Sequence, residues 1–167
     1  MSGWPLLSLA IWIPIVAGVI ALAAGNDQRA QAQRWIALAG ALLGFLITIP
    51  LYTGFAVQSA DFQFQEQLLW IERFNIHYHL GVDGISMLFV LLNSFVTILV
   101  VIAGWSVVEN RVGQYYGAFL IMSGLLNGVF AALDAVLFYV FFEATLIPMF
   151  IIIGIWGGPN RVYAALK

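Results

Sequence analysis

The stretch Ala135–Trp156, AVLFYVFFEATLIPMFIIIGIW, decides what kind of protein this is. It is one continuous apolar run with a single ionisable side chain, Glu143. A hydrocarbon core of about 30 Å needs about 20 such residues in helical form. Glu143 sits about 12–13 Å from the start of the run at 1.5 Å per residue, close to the middle of a bilayer. A carboxylate at that depth costs several kcal/mol. It must either stay neutral or face a cation or a water-filled cavity. Pro148 cannot donate a hydrogen bond to the carbonyl of Ala144, so the backbone is opened next to the acid. The Thr145 hydroxyl lies near the same opening in sequence. An acid, a freed carbonyl and a hydroxyl together describe a proton-relay station. The structural alternative is a Glu hydrogen-bonded to a neighbouring helix.

The rest of the chain has the same character. Of its 167 residues 63% are apolar and only 8% are charged, with a mean hydropathy of +0.99. An ordinary soluble domain is roughly 45–50% apolar and about 25% charged. Six cations and eight acids cannot clothe 18.4 kDa in a polar surface. This excludes a soluble domain and a disordered chain, and the net charge of −2 offers no basic patch for nucleic acid. The absence of cysteine excludes disulfides, thiolate metal sites and ligated iron–sulfur clusters.

Five segments are long enough to span a membrane: 4–24, 35–57, 80–105, 113–133 and 135–156. The first lacks a basic leader and has too long an apolar run for a signal peptide, so it reads as a retained span. The runs are continuous rather than alternating, so the fold class is an all-α membrane protein and not a barrel. Arg29, Arg34, Arg111, Arg161 and Lys167 all fall on one side, and only Arg73 falls on the other, beside Asp61, Glu66 and Glu72. Cations collect inside, so the N-terminus is expected outside and the C-terminus inside.

The outer loop 58–79 alternates polar and apolar residues on either side of a turn region, which predicts a small β-hairpin on the membrane surface. Trp70 and Tyr78 suit the headgroup belt. His77 and His79 share one face of a strand, either as a metal pair or, as we prefer without a third ligand nearby, as a solvated edge. Asp83, Ser86, Asn93, Ser94 and Thr97 form a polar stripe within roughly 100° of the third span, which must face protein or trapped water. Helix–helix hydrogen bonding is the expected role of Ser86, Ser94 and Thr97. Asp83 opens that helix, either as a cap on its amides or as a proton site. Gly124 and Gly128 form a small-xxx-small face in the fourth span, flanked by Ser123 and Asn127. No histidine lies within a span, the sole lysine is Lys167, and no glycine-rich phosphate loop is present.

Phe141-Phe142-Glu143-Ala144-Thr145-Leu146-Ile147-Pro148-Met149-Phe150, followed by Gly154-Ile155-Trp156-Gly157-Gly158, resembles the fifth-helix signature of one family. This is the M type among the antiporter-like membrane subunits of bacterial NADH:quinone oxidoreductase, respiratory complex I. Ile76-His77-Tyr78-His79-Leu80, Gly81-Val82-Asp83-Gly84-Ile85-Ser86 and Gly158-Pro159-Asn160-Arg161-Val162-Tyr163-Ala164-Ala165-Leu166-Lys167 resemble it as well, so the similarity covers nearly the whole chain. The resemblance implies an N-terminal portion of a proton-translocating subunit of the bacterial inner membrane. In that family an acid on this helix pairs with a lysine on a later one. Glu143 matches the acid, while Lys167 matches the start of the next helix and not the channel lysine. Ser123 and Asn127 would help hydrate the path if their helix faces it.

The resemblance also implies that NADH, FMN, the iron–sulfur clusters and quinone are handled by partner subunits. No cofactor or metal is expected in this chain. The expected partners are the L- and N-type antiporter-like subunits and the lipid bilayer. Mrp-type cation/proton antiporters and membrane hydrogenases share the mid-helix Glu, and the Leu-Ile-Pro-Met-Phe stretch after it is our reason for ranking them lower. A non-pumping structural or assembly fragment is the third reading.

Overall fold

The computed structural model describes residues 4–24 and 29–166. Lys167 therefore lies outside the described residues. The order of elements is α1 (Leu6–Ala23), α2 (Ala30–Thr53), β1 (Gln63–Ile71), a 3-10 turn (Glu72–Phe74), β2 (Ile76–Val82), α3 (Gly84–Ala103), α4 (Val112–Ala131), α5 (Ala135–Trp156) and the short α6 (Arg161–Leu166). Long apolar runs become helices because lipid offers their backbone groups no partners, and only a helix satisfies them within one segment.

Among the described helices, α1, α2, α3 and α5 are long and apolar enough to cross a membrane. Helix α4 is as long as α3 but less apolar, since it carries Gln114, Ser123, Asn127 and four glycines. The packing explains the difference. All four of the other long helices lie against α4, so its surface meets protein where theirs meets the outside.

The α4 glycines set how closely that packing can approach. A Cβ at Gly117 would lie 2.9 Å from the Gly18 carbonyl of α1, and one at Gly113 would lie 2.8 Å from that of Ala21. A Cβ at Gly124 would strike the Ile11 carbonyl. Gly128 instead receives the Phe141 ring of α5, where a Cβ would meet it at 2.7 Å. The expected Gly124/Gly128 face is thus divided between two neighbours, and Gly113, Gly117 and Gly124 form the seam with α1. Both arrangements let helices approach by omitting side chains, which is how membrane helices gain packing without a hydrophobic drive.

The expected hairpin forms as a two-stranded antiparallel sheet with Gln67 opposite His79 and Leu69 opposite His77. Its register is broken between Gln63 and Glu66, where Phe64 adopts a φ of 53°. Asn75, also at 53°, closes the turn, a conformation that Asn tolerates better than most residues. The helix ends at the hairpin side enclose one apolar cluster that includes Leu7, Leu51, Val82, Met87 and Phe141. A second cluster, which includes Val101, Val112, Tyr116 and Leu120, fills the opposite end. Between the two along α3 and α4 lie polar residues.

Candidate functional site

Those polar residues form one closed group. Asn93 Nδ2 donates to the Asn127 Oδ1 at 2.8 Å and to the Ser123 carbonyl at 2.8 Å. Thr97 Oγ1 donates to Ser123 Oγ at 2.7 Å. Asn127 Nδ2 donates to the Ala10 carbonyl of α1 at 2.9 Å and contacts Ser94 Oγ at 3.3 Å. Ser94, Thr97, Ser123 and Asn127 are all buried. Ser94 and Thr97 therefore bridge helices as expected. Ser123 and Asn127 face α3 and α1, and the hydroxyl and amide groups that were candidates for wetting a proton path are bonded to Asn93, Ser94 and Thr97 of α3 and to the Ala10 carbonyl of α1.

Asp83 acts as a cap. Its Oδ1 accepts from the amides of Ile85 at 3.0 Å and Ser86 at 2.7 Å, and Ser86 Oγ accepts from the Asp83 amide at 2.9 Å. This reciprocal pair is a capping box. Ser86 consequently serves the helix start, and the expected bond from Ser86 to another helix is replaced by this local one.

Glu143 stands apart from every one of these residues. It is on an exposed face of α5 together with Tyr139, Val140, Leu146, Ile147 and Phe150. No described residue makes a hydrogen bond or ion pair with it. The opposite face, Leu137, Phe141, Thr145 and Pro148, is buried. At 100° per residue, Thr145 and Pro148 lie about 160° and 140° around the helix from Glu143. The Thr145 hydroxyl donates to the Phe142 carbonyl at 2.6 Å. The acid, the hydroxyl and the proline are thus neighbours in sequence that face different surroundings.

Two further acids matter that sequence reasoning passed over. Glu66 of β1 accepts from the amides of Leu7 at 2.8 Å and Ser8 at 3.3 Å, and from the Ser8 hydroxyl. It caps α1, whose own N-cap, Pro5, supplies no side-chain bond. No local signal could have revealed this, since partner and acid are more than fifty residues apart in the chain. Asp134 accepts from Val136 at 2.9 Å and Leu137 at 3.1 Å, and also from the His77 amide at 3.2 Å. Here the signal was present, an Asp immediately before an apolar run. The Leu137 amide is the main influence holding the Asp134 carboxyl below its ordinary 3.8; burial opposes it, and His77 and Val136 add further lowering.

The hairpin is fastened at several points. The Leu133 amide donates to the His79 carbonyl at 2.8 Å. Tyr78, expected in the headgroup belt, bonds Ser8 Oγ at 3.0 Å and accepts from the Trp12 indole at 3.3 Å. Trp70 is half exposed. His79 pairs with Gln65 at 3.2 Å. No group of three metal-ligating side chains occurs among the described residues.

No protein-family model matches the chain. It is 46% identical over 165 residues to NADH-quinone oxidoreductase subunit M of Rhodobacter capsulatus, covering 97% of this chain and 32% of that protein. It is 43% identical over 155 residues to NADH-ubiquinone oxidoreductase chain 4 of Arabidopsis thaliana, covering 93% and 31% respectively. The fold matches a chain of the structure "Respiratory complex I from Thermus thermophilus with bound NADH" at a TM-score of 0.78 and 31% identity, covering 95% of this chain and 31% of that one. The chain spans about a third of the length of the curated relatives it matches. By sequence it is similar to NADH-quinone oxidoreductase subunit M proteins over that third of their length, and by fold to one chain of a respiratory complex I.

Proposed function

We propose that this chain is part of a proton-translocating subunit in the membrane arm of an NADH:quinone oxidoreductase, and that Glu143 exchanges the proton. The observation that carries the reading is the position of Glu143 on the face of α5 that no described element covers. An ionisable group inside a span normally faces a bundle interior or a water-filled cavity. In this reading, helices from outside the matched third of the relatives' length form that interior and bring a cation to Glu143. In this reading the five long helices all span, α4 within a sheath of the other four. The N-terminus and hairpin lie outside, and Arg29, Arg34, Arg111 and Arg161 lie inside. The membrane is a bacterial inner membrane. Electron transfer from NADH to quinone occurs in partner subunits, and the neighbours in the arm are the L- and N-type subunits.

Replacing Glu143 by Gln keeps the shape and removes the titrating proton. NADH-driven proton pumping by inverted membrane vesicles should fall roughly tenfold or more, in line with the loss of a positioned proton donor and acceptor. Unchanged pumping by a fully assembled enzyme would remove Glu143 from the path.

A second reading, an assembly element that moves no protons, draws on Asp83, Ser123 and Asn127, each of which is engaged in structural bonds. It predicts that the chain binds neighbouring membrane subunits equally well with Gln at position 143 and that pumping is unaffected.

A further inference from the structure

Helices α1 and α2 leave a groove of about 470 Å³ between them, with Val16, Ala17 and Ile20 on one side and Ala39, Gly40 and Leu43 on the other. That is within the size range of specific small-molecule sites, about 300–1,000 Å³. Its floor is low because the helices touch through small residues. A Cβ at Gly40 would strike that of Ala17.

The groove is apolar along its length but has a charged end. Arg29 is the N-cap residue of α2, seven residues before Ile36, which also lines the groove. Arg29 is exposed, and no described residue holds its guanidinium. Among the described residues, no side chain caps the adjoining first turn of α2, the helix end that attracts anions. Among the described residues, this end carries Arg29, Arg34, Arg111 and Arg161 against Glu109.

The spacing suits one kind of occupant. From Arg29 to Leu43 the helix rises about 21 Å, which is half of a bilayer about 40–45 Å thick including headgroups. With Leu43 at the midplane, Arg29 stands at the depth of phosphates. We propose that the α1–α2 groove holds one phospholipid with an anionic headgroup, its acyl chain along Ala17, Ala39 and Gly40 and its phosphate at Arg29.

The test uses the full native polypeptide in nanodiscs of phosphatidylcholine containing some phosphatidylglycerol, with retained lipid counted by native mass spectrometry. One phosphatidylglycerol should be kept about fivefold more often than phosphatidylcholine, the preference expected from one cation at a lipid surface. Arg29→Gln should bring the ratio close to one, while Arg29→Lys should keep the preference. Ala39→Phe, which fills the floor from an exposed position, should lower the retention of both lipids. Equal retention of the two lipids by the unaltered protein, or a preference that survives Arg29→Gln, would overturn the proposal. So would a preference lost in Arg29→Lys while helix content is unchanged.

Discussion

Helices α4 and α5 both carry polar groups within their largely apolar lengths and treat them in opposite ways. Asn127 and Ser123 of α4 are buried, and each meets a partner on α3, with Asn127 also reaching α1. Glu143 of α5 is the most expensive group of the three, yet it faces away from the bundle without a described partner. Paired groups hold helices together, because separating them strands donors and acceptors in an apolar medium. An unpaired carboxylate does nothing for the fold, and its retention there points to a role outside it.

The largest effect that tests this contrast comes from Glu143→Leu. Insertion of the α5 segment by the translocon should improve by about 3 kcal/mol, the cost of an ionisable side chain at a span centre. The folding stability of the inserted bundle should not fall, since no described contact is lost. A clear loss of stability would place Glu143 among the structural groups. Asn127→Leu should do the reverse for the bundle. Its unfolding in mixed micelles should become easier by about 1–2 kcal/mol, as Asn93 and the Ala10 carbonyl lose their partner. No change would mean that the network is slack and that α4 is held by its glycines alone.

The smallest effect concerns the hairpin. The carboxyl of Asp134 is held below its ordinary value in the folded protein, so its contribution is complete above about pH 4 and is lost as pH falls through the lower folded value. Hydrogen exchange at the amide of His77, which Asp134 accepts, should quicken in that acid window. Asp134→Asn should remove the pH dependence. Exchange that is indifferent to acid would show that the Leu133–His79 bond holds β2 in place by itself.

How much of this was legible beforehand depends on the range of the interactions involved. The helix Ala135–Trp156 and the outer hairpin follow from apolar runs and alternation, both local patterns. The Asp83 cap was one of two readings open for that residue, and the capping geometry with Ser86 settles its structural role. For Ser123 and Asn127 the sequence offered a polar pair on α4 but not its direction. Rotation about a helix axis is chosen by all the neighbours at once. The same holds for Gly124 and Gly128, four apart in sequence but turned toward α1 and α5 respectively.

The sequence by itself determined the solvent of this protein. Bilayer insertion depends on summed hydropathy over about 20 residues, a quantity that needs no tertiary contact. It also determined where Glu143 falls along its apolar run, nine residues into Ala135–Trp156, since position along a helix is counted in residues. Only the tertiary structure decided which polar groups find partners. Glu66 reaches the start of α1 across the fold, and Asn127 reaches the Ala10 carbonyl, because packing brings distant segments within hydrogen-bonding distance. Glu143 was left facing outward by that same packing, as Phe141, Thr145 and Pro148 took the side of α5 that meets α4.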